Sequence, residues 1–178
     1  KALVPVPKPL KFTATPEQGR VSALFLRPPR AMALLMLAHG AGTDMRHYFL
    51  EDLSQALAAN RIATFRYNFP YKEKGGGGGP NGKGVLTATV HSAAETAAST
   101  APDLPLFSGG KSFGGRMTSL AHSEAPLSKV KGLVFFGFPL HPAGKPATAR
   151  AEHLSHVDIP MLFLQGPRDT LATPKLLL

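Results

Sequence analysis

The sequence predicts an α/β fold, a mostly parallel sheet with helices on both faces. Three observations carry this expectation. Strand-length apolar runs alternate with segments of helical spacing. The run Ala33–Ala38 is apolar without a break, as a strand buried on both faces requires. Glycine-rich turns follow the apolar runs directly, at His39-Gly40-Ala41-Gly42 and Gly109-Gly110.

The elements follow in order. Leu10–Ala14 and Val21–Leu26 read as short strands around the turn Pro16-Glu17-Gln18-Gly19. Arg27-Pro28-Pro29-Arg30 is a loop that leads into the buried strand Ala33–Ala38. Tyr48–Asn60 places Phe49, Leu50, Leu53, Leu57 and Ala58 on one helical face. Ile62–Tyr67 is the next strand. A long loop is expected from Asn68 to about Gly84, and it contains the run Gly75–Gly79. Five consecutive glycines lose much entropy on ordering, so this run reads as a flexible surface loop. Val85–Thr100 reads as a helix, Leu104–Ser108 as a strand and Ser112–His122 as a helix. Val130–Phe136 is a strand, and Gly137–Pro146 is a Pro/Gly-rich loop. Ala147–His156 reads as a short helix, Pro160–Gln165 as a strand and Thr173–Leu178 as the start of a helix.

Composition narrows the function classes. The 178 residues suit one domain spanning 1–178, long enough to bury a sizeable core. No apolar run approaches the roughly 18 residues of a membrane span, and Lys1 opens a Pro-rich stretch without the features of a secretory signal. The expected location is the cytoplasm, with no membrane partner. The absence of cysteine excludes disulfides, thiolate metal sites and a cysteine nucleophile. The net charge of +9 suggests nucleic acid at first sight. Its carriers are scattered, however, and no basic cluster is interleaved with aromatics, so no nucleic-acid partner is expected.

The strongest chemical signal is Gly110-Lys111-Ser112-Phe113-Gly114, a G-x-S-x-G between a predicted strand and a predicted helix. This is the pattern of a nucleophile elbow. It puts Ser112 in a tight turn at a strand end, and the flanking glycines let strand and helix approach closely. The helix N-terminus can then stabilise negative charge that develops there. Gly110-Lys111-Ser112 also resembles the end of a phosphate-binding loop. That loop needs a glycine where this chain has Pro105, inside an apolar run, so the phosphate reading fails on spacing.

Two further segments suit the same chemistry. Acyl transfer needs two backbone N–H donors for its oxyanion, one from the residue after the nucleophile and one from the loop after the third strand. These are Phe113 and Ala41, with Gly40 as the alternative to Ala41. Read alone, His39-Gly40-Ala41-Gly42 is equally a turn that feeds the next helix. Gly166-Pro167-Arg168-Asp169 follows the last predicted strand, and Asp169 is placed to hold a catalytic imidazole. Its other reading is a turn cap or a partner of Arg168. No histidine follows Asp169 in this chain. His91 and His122 fall on predicted helices, while His141, His153 and His156 precede the acid. His39, Gly40 and His141 are candidate pocket residues, as is Lys145, since ligands of open α/β sheets bind beyond the strands' carboxyl ends; for His141 and Lys145 a structural loop is the equal reading.

These motifs support a resemblance. Ala38-His39-Gly40-Ala41-Gly42, Arg66-Tyr67-Asn68-Phe69-Pro70-Tyr71, Gly109 through Met117, Gly137-Phe138-Pro139-Leu140-His141-Pro142, Gly144-Lys145-Pro146 and Gln165 through Asp169 occur in order. The sequence resembles the α/β-hydrolase-like proteins grouped with animal testis-expressed protein 30 and the KAT8 regulatory complex subunit 3, with their bacterial relatives. The resemblance implies an α/β-hydrolase fold related to dienelactone-hydrolase-type enzymes, with Ser112 as nucleophile and Asp169 as acid. Relatives carry a further strand and a histidine after the Asp turn. The C-terminal strand and helix of the fold, and the catalytic histidine, are therefore expected beyond Leu178. The run Gly75–Gly79 departs from the polar, charged loop of the relatives. The expected function is a serine hydrolase acting on a small-molecule ester or related acyl compound, with no metal or organic cofactor. The other reading is a non-catalytic binding or scaffold protein on the same fold.

Overall fold

A computed structural model describes residues 5–73, 75 and 78–177. The chain opens with β1 (Lys8–Thr15) and β2 (Gly19–Leu26), followed by β3 (Ala33–Ala38), α1 (Tyr48–Ala59) and β4 (Ile62–Tyr67). Then come the one-turn α2 (Pro70–Glu73), α3 (Lys83–Thr100), β5 (Leu106–Lys111), α4 (Phe113–Glu124), β6 (Val130–Phe136) and β7 (Met161–Leu164). Two 3₁₀ segments, Ala149–His156 and Pro174–Leu176, flank β7. Within the described residues no helix is long and apolar enough to cross a membrane.

The seven strands form one sheet in the order β1-β2-β4-β3-β5-β6-β7. β1 and β2 pair antiparallel, and β2 pairs antiparallel with β4. Every later pairing is parallel. The register aligns Ala38 with both Tyr67 and Gly110, Lys111 with Phe136, and Phe136 with Leu164. The strands therefore end along one edge, and their exit loops meet there. The chain turns to opposite sides of β3 on leaving it for β4 and on returning as β5. That switch point is where open α/β sheets bind ligands.

Alternation along β3 shows how the two faces are made. Leu34, Met36 and Ala38 join the large cluster that includes Phe65, Leu86, Val90 and Met117 under α3 and α4. Leu35 and Leu37 point the other way and meet Leu50 of α1. Burying a side chain of this size stabilises by about 1.5–3 kcal/mol, so the α3–α4 face carries most of the apolar stabilisation. α3 buries Ala93, Ala94 and Ala97, small residues that let it lie close to its neighbours.

Three expectations are corrected. β5 was expected to end at Ser108 but runs through Gly109 and Gly110 to Lys111. These glycines lie inside the sheet because a β-carbon on Gly109 would overlap the Val134 carbonyl and one on Gly110 the Ala38 carbonyl. The expected loop from Asn68 to about Gly84 is interrupted by α2, and α3 already starts at Lys83. Glu73 anchors α2 by accepting from the Ser22 hydroxyl at 2.6 Å and from Asn68 Nδ2 at 3.0 Å. In the pentaglycine run, Gly76 and Gly77 lie outside the described residues, as does Leu178. The expected helix at Ala147–His156 is a 3₁₀ segment over Ala149–His156.

Candidate active site

Ser112 stands between the last residue of β5 and the first of α4. Its backbone adopts φ 51° and ψ −119°. An L-residue enters this region only at a cost of about 1–3 kcal/mol. The other described non-glycine residues with positive φ are Arg30, Arg61 and Lys129, all in ordinary turns. Close packing imposes the conformation. A β-carbon on Gly114 would overlap the His39 carbonyl, so α4 starts directly against the end of β3. The Ser112 N–H donates to the Phe136 carbonyl at 3.1 Å, which ties the turn to β6 as well.

The loop after β3 lies beside this turn. Gly40 is close enough to the Lys111 carbonyl that a β-carbon there would stand 3.9 Å from it. Among the described residues, neither the Ala41 N–H nor the Phe113 N–H donates a hydrogen bond. Two backbone donors, one in the residue after the serine and one in the loop after β3, are therefore without an acceptor among the described residues.

Asp169 lies beyond β7 at the same edge of the sheet. Its Oδ2 accepts from Gln165 Nε2 at 2.6 Å and its Oδ1 from the Leu171 N–H at 2.9 Å. Gln165 is fixed in turn, because its Oε1 accepts from the Phe138 N–H at 2.8 Å. The carboxylate faces a cleft of about 550 Å³ lined by Phe49, Lys111, Phe136, Leu164 and Arg168, among others. The Lys111 ammonium and the Asp169 carboxylate both lie against Gly137, each 3.3 Å from where a β-carbon would stand. The Lys111 ammonium also sits 5.3 Å from the centre of the Phe49 ring. Among the described residues, no cluster of three His, Asp or Glu side chains is placed to hold a metal.

The fold has counterparts in known proteins. Residues 31–178 match the family described as alpha/beta hydrolase domain. The chain belongs to the alpha/beta hydrolase family. Similar folds occur in solved structures. A dienelactone hydrolase from Anabaena variabilis superposes with a TM-score of 0.70 at 16% identity, over 96% of this chain and 91% of that one. A lidless α/β serine hydrolase from Xanthomonas campestris gives 0.69 at 20% identity, over 97% and 76%. A cold-adapted esterase from an Arctic intertidal metagenomic library gives 0.71 at 15% identity, over 98% and 78%. At these identities the likeness is one of fold.

In this alpha/beta hydrolase domain the two candidate pocket histidines are locked into the protein. His39 is fully buried, its Nδ1 is 2.8 Å from the Gly40 carbonyl, and its Nε2 accepts from the Phe69 N–H at 3.1 Å. Burial drives its pKa down to about 4, a shift that its hydrogen bond to Gly40 only partly offsets. His141 is 2% exposed and sits between the Pro142 carbonyl and the Thr173 hydroxyl, at 2.8 Å from each. Its ring fastens the segment after β7 to the loop after β6, and it does not line the cleft beside Asp169. Among the described residues, none of the seven histidines bonds Ser112 or Asp169. Sequence reasoning passed over Gln165, Phe69 and Tyr71 as site residues. Each lies in a motif segment just past a strand end, but only the fold brings them to Asp169 and to the Ala41 loop.

Proposed function

We propose that this protein is a serine hydrolase acting on ester or related acyl bonds. The observation that carries the reading is the backbone of Ser112. A strained serine between strand and helix, with free N–H donors in the next residue and in the loop after β3, suits a nucleophile elbow. In this reading the Ser112 Oγ attacks the substrate carbonyl carbon and gives its proton to a histidine base. The tetrahedral oxyanion accepts from the Ala41 and Phe113 N–H groups. Collapse breaks the ester bond, and the leaving alkoxide takes the proton from the imidazolium. Water then attacks the acyl-serine by the same route and frees the acid. Asp169, held by Gln165 and Leu171, orients the base and stabilises its charged form. Among the described residues no histidine bonds Ser112 or Asp169, so the base is not assigned to any of them. The narrower likeness to the testis-expressed protein 30 group belongs to the same reading and rests on the elbow and the Phe138–Pro142 segment.

A fluorophosphonate probe followed by peptide mapping tests the assignment. We expect one adduct, on Ser112, and a fall in ester turnover of about 10³-fold or more in Ser112→Ala. Unchanged turnover in that variant, or an adduct elsewhere, would overturn Ser112 as the nucleophile, and a wild-type protein with neither turnover nor adduct would favour a non-catalytic scaffold on this fold.

A further inference from the structure

We infer that Tyr71 and His39 are positioning residues that clamp the peptide units on both sides of Ala41, so that its N–H is fixed toward the serine turn. The inference rests on the proposed role of Ser112, and it assigns residues that no motif for that role includes.

The clamp follows from three sets of contacts. The Gly40 carbonyl accepts from His39 Nδ1 at 2.8 Å, and from the Thr43 N–H and the Thr43 hydroxyl, each at 3.2 Å. In a trans peptide the C=O and the next N–H point in opposite directions. Holding the Gly40 carbonyl inward therefore turns the Ala41 N–H outward, and it is left without an acceptor among the described residues. The following peptide is held as well, since the Tyr71 hydroxyl donates to the Ala41 carbonyl at 2.8 Å. Two successive peptide planes are fixed, and the donor between them has little freedom to turn.

The clamp is itself anchored. His39 Nε2 accepts from the Phe69 N–H, so the ring proton must be on Nδ1, facing Gly40. The rings of His39 and Phe69 meet edge to face at 5.1 Å, and Phe69 stacks on Tyr71 at 6.3 Å. Phe69 also meets Phe113 edge to face at 6.1 Å. The residues carrying both free donors are thus tied to one aromatic cluster built on the chain leaving β4. Burial pushes the Tyr71 phenol up to about 12, so it remains a donor throughout the range in which esters are assayed. Preorganised donors act without reorienting during the reaction, and loss of one donor typically costs about 10²–10³ in kcat. A donor that is loosened, not removed, is expected to cost less.

The test compares wild type, Tyr71→Phe, His39→Asn and His39→Leu. The phenylalanine keeps the ring and removes only the hydroxyl, and the asparagine amide retains a donor near the Nδ1 position. We expect Tyr71→Phe to lower kcat about 10-fold with KM within about twofold, because the contact matters in the transition state. His39→Asn should retain more activity than His39→Leu. Amide exchange supplies a readout that needs no turnover. The Thr43 N–H should exchange faster in Tyr71→Phe, while amides of β3 remain as in wild type. Unchanged Thr43 exchange would overturn the clamp, and faster exchange with unchanged kcat would overturn its role in positioning. A wild-type protein that neither turns over esters nor takes the probe at Ser112 would instead overturn the hydrolase reading, and the inference with it.

Discussion

His39 shows how one buried side chain links this molecule to pH. Its Nε2 must stay unprotonated to accept from Phe69, and burial holds its pKa near 4 against an ordinary 6.5. In the unfolded chain the ring takes up its proton as pH falls through about 6.5, whereas the folded protein resists until about 4. Its contribution is therefore complete above about pH 6.5 and is lost on acidification toward pH 4. The loss approaches about 3 kcal/mol at the lower end. Urea midpoints at pH 7.5 and 4.5 check this, and the fall should be smaller in His39→Asn, which has no ring to titrate. A wild-type midpoint that does not move between these pH values would contradict it. The carboxylate of Glu73 adds to acid sensitivity in a lower window. Burial alone would raise its pKa, but hydrogen bonds from Ser22 and Asn68 and the nearby Lys11 outweigh this and lower it.

At the scale of elements, β5 decides how closely its neighbours approach. A β-carbon on Gly109 would overlap the backbone carbonyl of Val134, and no side-chain rotation can relieve an overlap between main chains. Gly109→Ala should therefore lower stability by about 3 kcal/mol in urea unfolding. A change under about 0.5 kcal/mol would mean that β6 can move aside. The same glycines explain what could be read from the sequence. β3, β4 and β6 were legible to the residue, because unbroken apolar runs bounded by turns admit little else. β5 was not, since Gly109 and Gly110 look like a turn until the strands beside them are known. Local periodicity also does not separate a 3₁₀ segment from an α-helix, as at Ala149–His156. At the site, Ser112 was legible because the elbow is local in sequence. The bond from Tyr71 to Ala41 joins residues 30 apart and exists only once β3 and β4 pair.

The whole molecule is unevenly covered. α3 and α4 seal one face of the sheet, while α1 covers only part of the other. β7 pairs with β6 alone among the described residues, and Leu162, Phe163 and Leu164 are 53%, 39% and 47% exposed. An open edge with apolar side chains is a template for pairing with another chain. A protein consisting of residues 1–178 is expected to self-associate as its concentration rises. Replacing Leu162 and Leu164 with lysine should keep it monomeric in size-exclusion chromatography with light scattering. A wild-type chain that is monomeric at every loading would show that this edge is protected.

The backbone of Ser112 bears on how such a protein can change over time. Glycine adopts this conformation freely, and the relief of about 1–3 kcal/mol exceeds the roughly 0.5–1 kcal/mol that glycine loses in chain entropy. The substitution that would best suit the turn is thus one that deletes the hydroxyl. Selection for heat resistance alone would erode this position. A lineage that keeps a serine here is retaining a residue that its own architecture disfavours.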